Sequence, residues 1–415
     1  MKYAQLPTMR SKHLQGAQVI MTIGSVMRNR ADSFGGRLSF RRRAMNLSQR
    51  ALGAASGVGH ATIQTLEQGK GMPSIKTVES LATALHISPG WLGFREGQGQ
   101  AHSMDVAADF DPLAVIAQVQ EAIANKRPIE QSAKYLDQRG VRCWLDLVRD
   151  QALSVDKMPF PAIAQEIAAL SLGRPIDLVG LGCGTAHQEI KLAGLLNGLQ
   201  LPVRLGLIDI SVYLLIAGYQ QARQALKDTA IDINALIGDI YNFPKYAEQL
   251  IASPVEHLRL FCLFGYTFGN LRQEDDLFNR VLSAPASRSG DLLLLDITLA
   301  RPEPDAEPVL RHERSPEFLS LMYGFVAAPV HSIIGASNRV EVEPKLEPGR
   351  LPGSYVINLY GRYSLGGVEQ LQSLAIVTRY QLDSLATYLA SKGWRVVGQY
   401  GYEGTAKSIV VCQKT

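Results

Sequence analysis

The stretch "IDLVGLGCGTAHQEIKLAGLLNGL" constrains this chain more than any other. Six residues fit to be buried on both faces run straight into Gly182-Cys183-Gly184 and then into a helical pattern. A strand with a single charged residue, Asp177, among apolar ones belongs in the middle of a parallel sheet, where helices cover both faces. The pattern then recurs. "VRLGLID", "IDINALIGD", "LRLFCLF" and "DLLLLDI" alternate with helical segments, which predicts an α/β, doubly wound, Rossmann-like sheet. In such a sheet ligands bind at the carboxyl ends of the strands. Asp209 ends the second strand, where a carboxylate can accept both hydroxyls of a ribose, and Asp239 ends the third, where a base would lie. The glycine turn lets a ligand approach the backbone, and the helix N-terminus behind it favours an anion. The fourth strand ends in the unusual "LFGYTFGNL", so Phe264, Gly265, Tyr266 and Asn270 are expected in a pocket wall.

The chain has 415 residues, enough for two or three domains. Residues 1–30 read as a leader of little order, 96–111 as a polar linker and 112–170 as a helical segment before the sheet. The sheet domain is expected over 171–415, with a β-containing insert at 301–378 that forms a lid over the acceptor. The net charge of +4 points to no partner class by itself, but Arg37, Arg41, Arg42, Arg43 and Arg50 crowd one short stretch. The 4 cysteines, Cys143, Cys183, Cys262 and Cys412, form no Cys-x-x-Cys pair. They suggest neither zinc nor disulfides and fit a reducing cytoplasm. No apolar run is long enough for a bilayer, so no membrane role is expected.

Residues 31–95 carry closely spaced helix signals. "GRLSFRRRAMN" reads as a helix with Leu38, Phe40 and Ala44 inward and the arginines outward. Ser48 caps the next helix and Gly57 ends it; "HATIQTLEQG" follows with Ile63 and Leu66 on one face; Ser74 caps a fourth. Two short helices joined by a glycine turn form the unit whose second helix enters the major groove. The run from Leu47 to Leu92 resembles the lambda-repressor-like, Xre-type helix-turn-helix family. That resemblance implies that Gln49, His60, Ala61, Thr62, Gln64 and Thr65 face double-stranded DNA and that Arg41, Arg43 and Lys70 lie near phosphates. Glu67 would anchor its helix, and a homodimer would read a two-fold operator.

In the second half, "LVGLGCGT", "GLIDIS", "IGDI", "LFGYTFGNL", "RSGDLLLLDI" and the closing "WRVVGQY" and "SIVVCQK" follow the pattern of class I S-adenosylmethionine methyltransferases. They resemble in particular the histidine-specific branch, which methylates the α-nitrogen of histidine. The resemblance implies S-adenosyl-L-methionine as cofactor, bound by Gly180, Gly182, Cys183, Gly184, Asp209, Ile210, Asp239, Ile240, Phe264 and Gly265. Asn270 and Tyr266 would meet a small amine or amino-acid-like acceptor, and Tyr323, Tyr360 and Arg362 of the insert are further candidate contacts. Three departures stand out. Gly180 occupies the place of the family's first-strand acid, Gln188 that of its glycine-loop lysine, and "WLDLVRDQALSVDKMPFP" offers no counterpart of its substrate tyrosine. No general base is assigned and no metal is expected. The "GYTFGN" run lacks the Asn/Asp-Pro-Pro-aromatic of amino-methylating DNA enzymes, and no cysteine follows a proline. The alternative to an enzyme is a transcriptional regulator whose methyltransferase-like domain senses a metabolite without turnover.

Overall fold

The computed structural model describes residues 33–87, 89–94, 102–155, 158–251, 257–283, 286–300, 310–311 and 314–415. The expected leader, residues 95–101 of the polar linker and residues 301–309 of the insert lie outside them. The chain divides into two compact units, residues 1–101 and 102–415.

Among its described residues the first unit has five helices: α1 Phe34–Ala44, α2 Gln49–Ser56, α3 His60–Glu67, α4 Ile75–Ala84 and α5 Pro89–Phe94. Their caps follow from the sequence. The hydroxyls of Ser33, Ser48 and Ser74 accept the amides of Gly36, Ala51 and Thr77, and Gly57 ends α2 in the left-handed region at φ +69°. Leu38, Leu52, Ile63, Leu66, Leu81, Leu85 and Leu92 form the core. The expectation of outward arginines fails for most of α1. Arg37, Arg41 and Arg42 are buried, because each stem lies along the apolar core while its guanidinium reaches a carbonyl or carboxylate. Arg37 Nε donates to Leu92 O (2.9 Å) and Arg41 Nε to Leu85 O (3.1 Å). Phe40, expected inward, is instead 37% exposed.

The second unit is built on one sheet. In order of hydrogen bonding its strands run β1 (His102–Val106), β4 (Asp232–Ile237), β3 (Val203–Asp209), β2 (Ile176–Leu181), β5 (Leu258–Leu263) and β6 (Leu292–Leu299), all parallel. Beyond β6 the sheet forks. β11 (Lys407–Lys414) pairs antiparallel with the length of β6 and with β10 (Trp394–Gly401). β9 (Val368–Tyr380) joins only the end of β6, at Thr298 and Leu299, and continues antiparallel into β8 (Tyr355–Leu365) and β7 (Val340–Pro348). Helices α6 (Pro112–Ala124), α7 (Gln138–Val155), α8 (Phe160–Ser171), α9 (His187–Gly198), α10 (Val212–Ala225), α11 (Phe243–Leu250), α12 (Pro316–Val326), α13 (Ala328–Ile334) and α14 (Leu382–Ser391) complete the unit. Ile176, Leu178, Leu205 and Leu207 point to a core shared with α8 and α9, whereas Val179, Leu181, Ile208 and Phe261 point to the other.

Two expectations are corrected here. The polar linker contains a strand: "HSMDV" pairs in register with Ile233–Ile237 at the sheet edge. An edge strand shows one face to solvent and needs no apolar run, so its composition conceals it. The insert, expected as a lid, instead extends the sheet through β7–β9. α6, α12 and α13 cover that extension in a third core around Phe325, Val330, Leu359 and Leu374.

Candidate functional site

The carboxyl ends of β2, β3, β4 and β5 converge on one cavity of about 630 Å³, within the usual range for small-molecule sites. Of the expected cofactor residues, Gly182, Cys183, Gly184, Asp209, Ile210, Asp239, Ile240, Phe264 and Gly265 line it; Gly180 does not. Asn270 lines it among the expected acceptor contacts.

The turn after β2 is shaped by close packing. Gly182 sits at φ +69°, and a methyl group there would approach Thr267 Cγ2 to 3.1 Å. Gly184 donates its amide to Asp209 Oδ2 (2.7 Å) and Ser211 donates to Oδ1 (2.8 Å), so Asp209 fastens the glycine turn to the end of β3. Each carboxylate oxygen keeps a second lone-pair direction for a ligand hydroxyl. Burial raises the Asp209 pKa to about 6, against the two amides that favour its charge. Asp239 accepts the amide of Tyr241 (2.9 Å) in the same manner, and burial raises its pKa as well. Burial, reinforced by Asp209 and Glu189, pushes the Cys183 thiol well above the usual range, so it is no nucleophile at neutral pH. Helix α9 begins at His187, and its N-cap Ala186, left-handed at φ +55°, offers no side-chain cap. Its first amides therefore remain available to a carboxylate.

The strand-five ending is a crossing point. Thr267 Oγ1 donates to Phe264 O (2.7 Å), and Gly265 N donates to Asp296 Oδ2 on β6 (3.0 Å). Gly265 and Tyr266 are both left-handed, at φ +66° and +70°. That kink throws the Tyr266 ring outward onto Lys407, whose Nζ lies 4.2 Å from its centroid, so Tyr266 is not a cavity residue. It leaves Phe264, Gly265, Thr267 and Asn270 on the cavity wall.

The three insert residues also lie elsewhere. Tyr360 donates to Glu347 (2.7 Å), Arg362 pairs with Glu343 and Glu369, and Tyr323 packs edge-on to His331. None lines the cavity, because strands β7–β8 carry the first two away from the parallel strand ends.

Sequence reasoning missed the wall opposite the strands. Glu130, Gln131, Ser132, Tyr135, Trp144, Tyr241 and Arg272 line it. Tyr135 sits edge-on to Trp144 (5.7 Å) and Phe325 (5.1 Å), so the insert backs this wall through Phe325. Behind it Lys134 is buried and bonded to Gln131, and burial aided by Arg272 lowers its pKa to about 7. Arg272 is fixed by Ile129 O (2.8 Å) and Ser373 Oγ (3.2 Å). A tyrosine in a helical segment upstream of the first central strand was the available signal.

In the first unit, His60, Ala61, Thr62, Gln64 and Thr65 are all exposed on α3, and Arg43 and Lys70 are exposed beside them. Gln49 is half-buried and donates to Glu67 Oε2 (2.7 Å). Glu67 also accepts from Arg42 (2.5 and 2.8 Å). Burial opposes the Glu67 charge, but these hydrogen bonds outweigh it and hold the pKa low. Arg41 is buried and cannot reach a phosphate.

Residues 38–92 match the helix-turn-helix family HTH_3. A segment of 84 residues is 40% identical to the HTH-type transcriptional regulator PrtR of Pseudomonas aeruginosa, covering 20% of this chain and 32% of that protein. The chain thus spans about a third of the length of that curated relative. Among solved structures, the restriction-modification controller protein C.AhdI of Aeromonas hydrophila is similar at 37% identity, over 15% of this chain and 94% of its own (TM-score 0.15). The CcbJ methyltransferase of Streptomyces caelestis is similar at 13% identity, over 62% and 89% (TM-score 0.31). Magnesium protoporphyrin IX methyltransferase of Synechocystis PCC 6803, solved with bound S-adenosylhomocysteine, is similar at 10% identity, over 68% and 97% (TM-score 0.39). The first unit is a helix-turn-helix domain. By its strand order and its antiparallel last strand, the second has the Rossmann-like class I methyltransferase fold. Among the described residues no helix is long and apolar enough to cross a membrane.

Proposed function

We propose that residues 102–415 bind S-adenosylmethionine and transfer its methyl group to a small amine or amino-acid-like acceptor, and that the helix-turn-helix unit ties this chemistry to transcription. The observation that carries the reading is the convergence of the glycine turn, Asp209 and Asp239 on one cavity, from three adjacent strands in the order a nucleoside requires. Bound there, the cofactor supplies an electrophilic methyl group on a sulfonium. Asp209 accepts the ribose hydroxyls, Asp239 and Ile240 flank the base, and the N-terminus of α9 takes the carboxylate. Tyr135, Trp144, Asn270 and Arg272 form the acceptor side, with a carboxamide and a guanidinium suited to a carboxylate-bearing amine. Histidine itself stays one member of that acceptor class, by resemblance to the histidine-specific branch.

Calorimetry with S-adenosylmethionine and S-adenosylhomocysteine tests the binding step. Asp209→Ala is expected to weaken both at least tenfold, about 1.4 kcal/mol. Unchanged affinity in a folded variant removes the assignment. Release of S-adenosylhomocysteine across a panel of amino acids and small amines tests turnover. A protein that binds the cofactor and turns over none of them is a ligand-sensing regulator instead.

A further inference from the structure

The strand acid expected at position 180 is replaced by glycine, and the space it vacates is filled. Gly180 lies inside β2 with Leu207 and Cys262 beside it in register, on the face covered by α9. A methyl group at Gly180 would lie 2.9 Å from both Cγ and Oε1 of Glu189 and 3.0 Å from Cys183 Cβ. Glu189 belongs to the first turn of α9, so its side chain folds back under the glycine turn towards the strand. It is 1% exposed, and neither carboxyl oxygen has a hydrogen-bond partner beyond its own backbone amide. An acid at a helix N-terminus ordinarily points to solvent or caps the helix, and an unpaired buried carboxyl is costly. Both neighbours in sequence, Gln188 and Ile190, line the cavity.

We propose that Glu189 replaces the missing strand acid: from the first turn of α9 it places a carboxyl behind Gly182–Gly184, where its field through the turn favours the cationic amino-acid end of the cofactor. The carboxyl is carried by the helix and not by the strand, and it fills the space that a side chain at position 180 would occupy. Glu189 is a positioning residue, acting through the turn whose backbone the ligand meets. The groups facing it are Asp209 from β3, Cys183 from the turn and Cys262 from β5. Burial holds both thiols protonated, and none of the three groups can carry a positive charge. None of these three neighbours supplies a cation, so the ligand's ammonium is the positive charge that Glu189 faces across the turn. Consistently, burial first and Asp209 after it raise the Glu189 pKa to about 8, a carboxyl made for a positive neighbour.

This inference rests on the cofactor reading, and two probes separate them. S-adenosylhomocysteine carries the amino-acid end; 5′-methylthioadenosine carries the nucleoside without it. Calorimetry on the full chain and on Glu189→Gln is expected to show at least tenfold weaker S-adenosylhomocysteine binding in the variant, with methylthioadenosine held within about twofold. Retained methylthioadenosine affinity also shows that the variant keeps a folded pocket. If the loss for S-adenosylhomocysteine does not exceed that for methylthioadenosine at least fivefold, Glu189 is a structural filler and the inference is wrong. If the unaltered protein binds neither probe, the cofactor reading itself fails and takes this inference with it.

Discussion

Glu189→Gln also reports on the free protein, through the pH dependence of its stability. In the folded chain burial raises this pKa from 4.5 to about 8. A carboxyl whose pKa is raised on folding binds its proton more tightly in the native state. Below pH 4 both states hold the proton, and ionisation adds no cost. As the pH climbs the unfolded chain ionises while the native one does not, so stability falls until the native carboxyl also ionises near pH 8. At about 1.4 kcal/mol for each unit, the full loss is at most about 5 kcal/mol between roughly pH 4 and 8. Glutamine cannot ionise, and its side chain occupies the same space, so the variant should lack this slope. Asp209 shifts in the same direction but is present in both proteins, so the comparison cancels most of its contribution. Thermal unfolding of both full-length proteins from pH 5 to 9 should show the variant's melting temperature gaining on the unaltered protein, by on the order of 5 °C at pH 8. Parallel profiles across that range would refute the buried, unpaired placement of Glu189.

Asn270→Ala should leave S-adenosylhomocysteine affinity within about twofold and abolish saturable methyl transfer, measured as S-adenosylhomocysteine release; lost cofactor affinity would put Asn270 on the wrong side of the cavity. Glu67→Ala should destabilise the helix-turn-helix unit by about 3 kcal/mol in denaturant melts, since it strands a largely buried Arg42 and frees Gln49, without changing cofactor calorimetry. In duplex titrations over a salt series, Gln64→Ala should flatten the preference for an operator over random sequence. Arg43→Ala should weaken both and lower the salt slope by about one, whereas a helix-turn-helix that shows no salt-dependent duplex binding would mark a protein-contact role.

What could be read from the sequence follows the physics of each signal. Ser48, Gly57 and Ser74 act within one turn of themselves, so their caps were visible, and so were β2–β6, whose apolar runs leave no alternative to a covered sheet. The strand-end acids were visible because the glycine turn fixes where the ends must meet. Burial of Arg37 and Arg41 was not, because a guanidinium that reaches a carbonyl 55 or 44 residues away leaves no local trace. Tyr135, Trp144 and Arg272 come from segments that only packing brings together, and Glu189 was hidden because a helix-start acid has a ready explanation in the dipole. Tyr360 and Arg362 were misplaced for the opposite reason: conspicuous polar side chains in an insert proved to pair with neighbouring strands.

β11 has a consequence for how the protein is made. It lies between β6 and β10, in the interior of the sheet, and Lys407 at its start steadies the Tyr266 kink beside the cavity. On the ribosome the helix-turn-helix, a separate compact unit, emerges first, whereas the sheet must wait for residues 407–414 to join β10 to β6. A message cut short anywhere after the first unit would therefore release the helix-turn-helix without a finished cavity behind it.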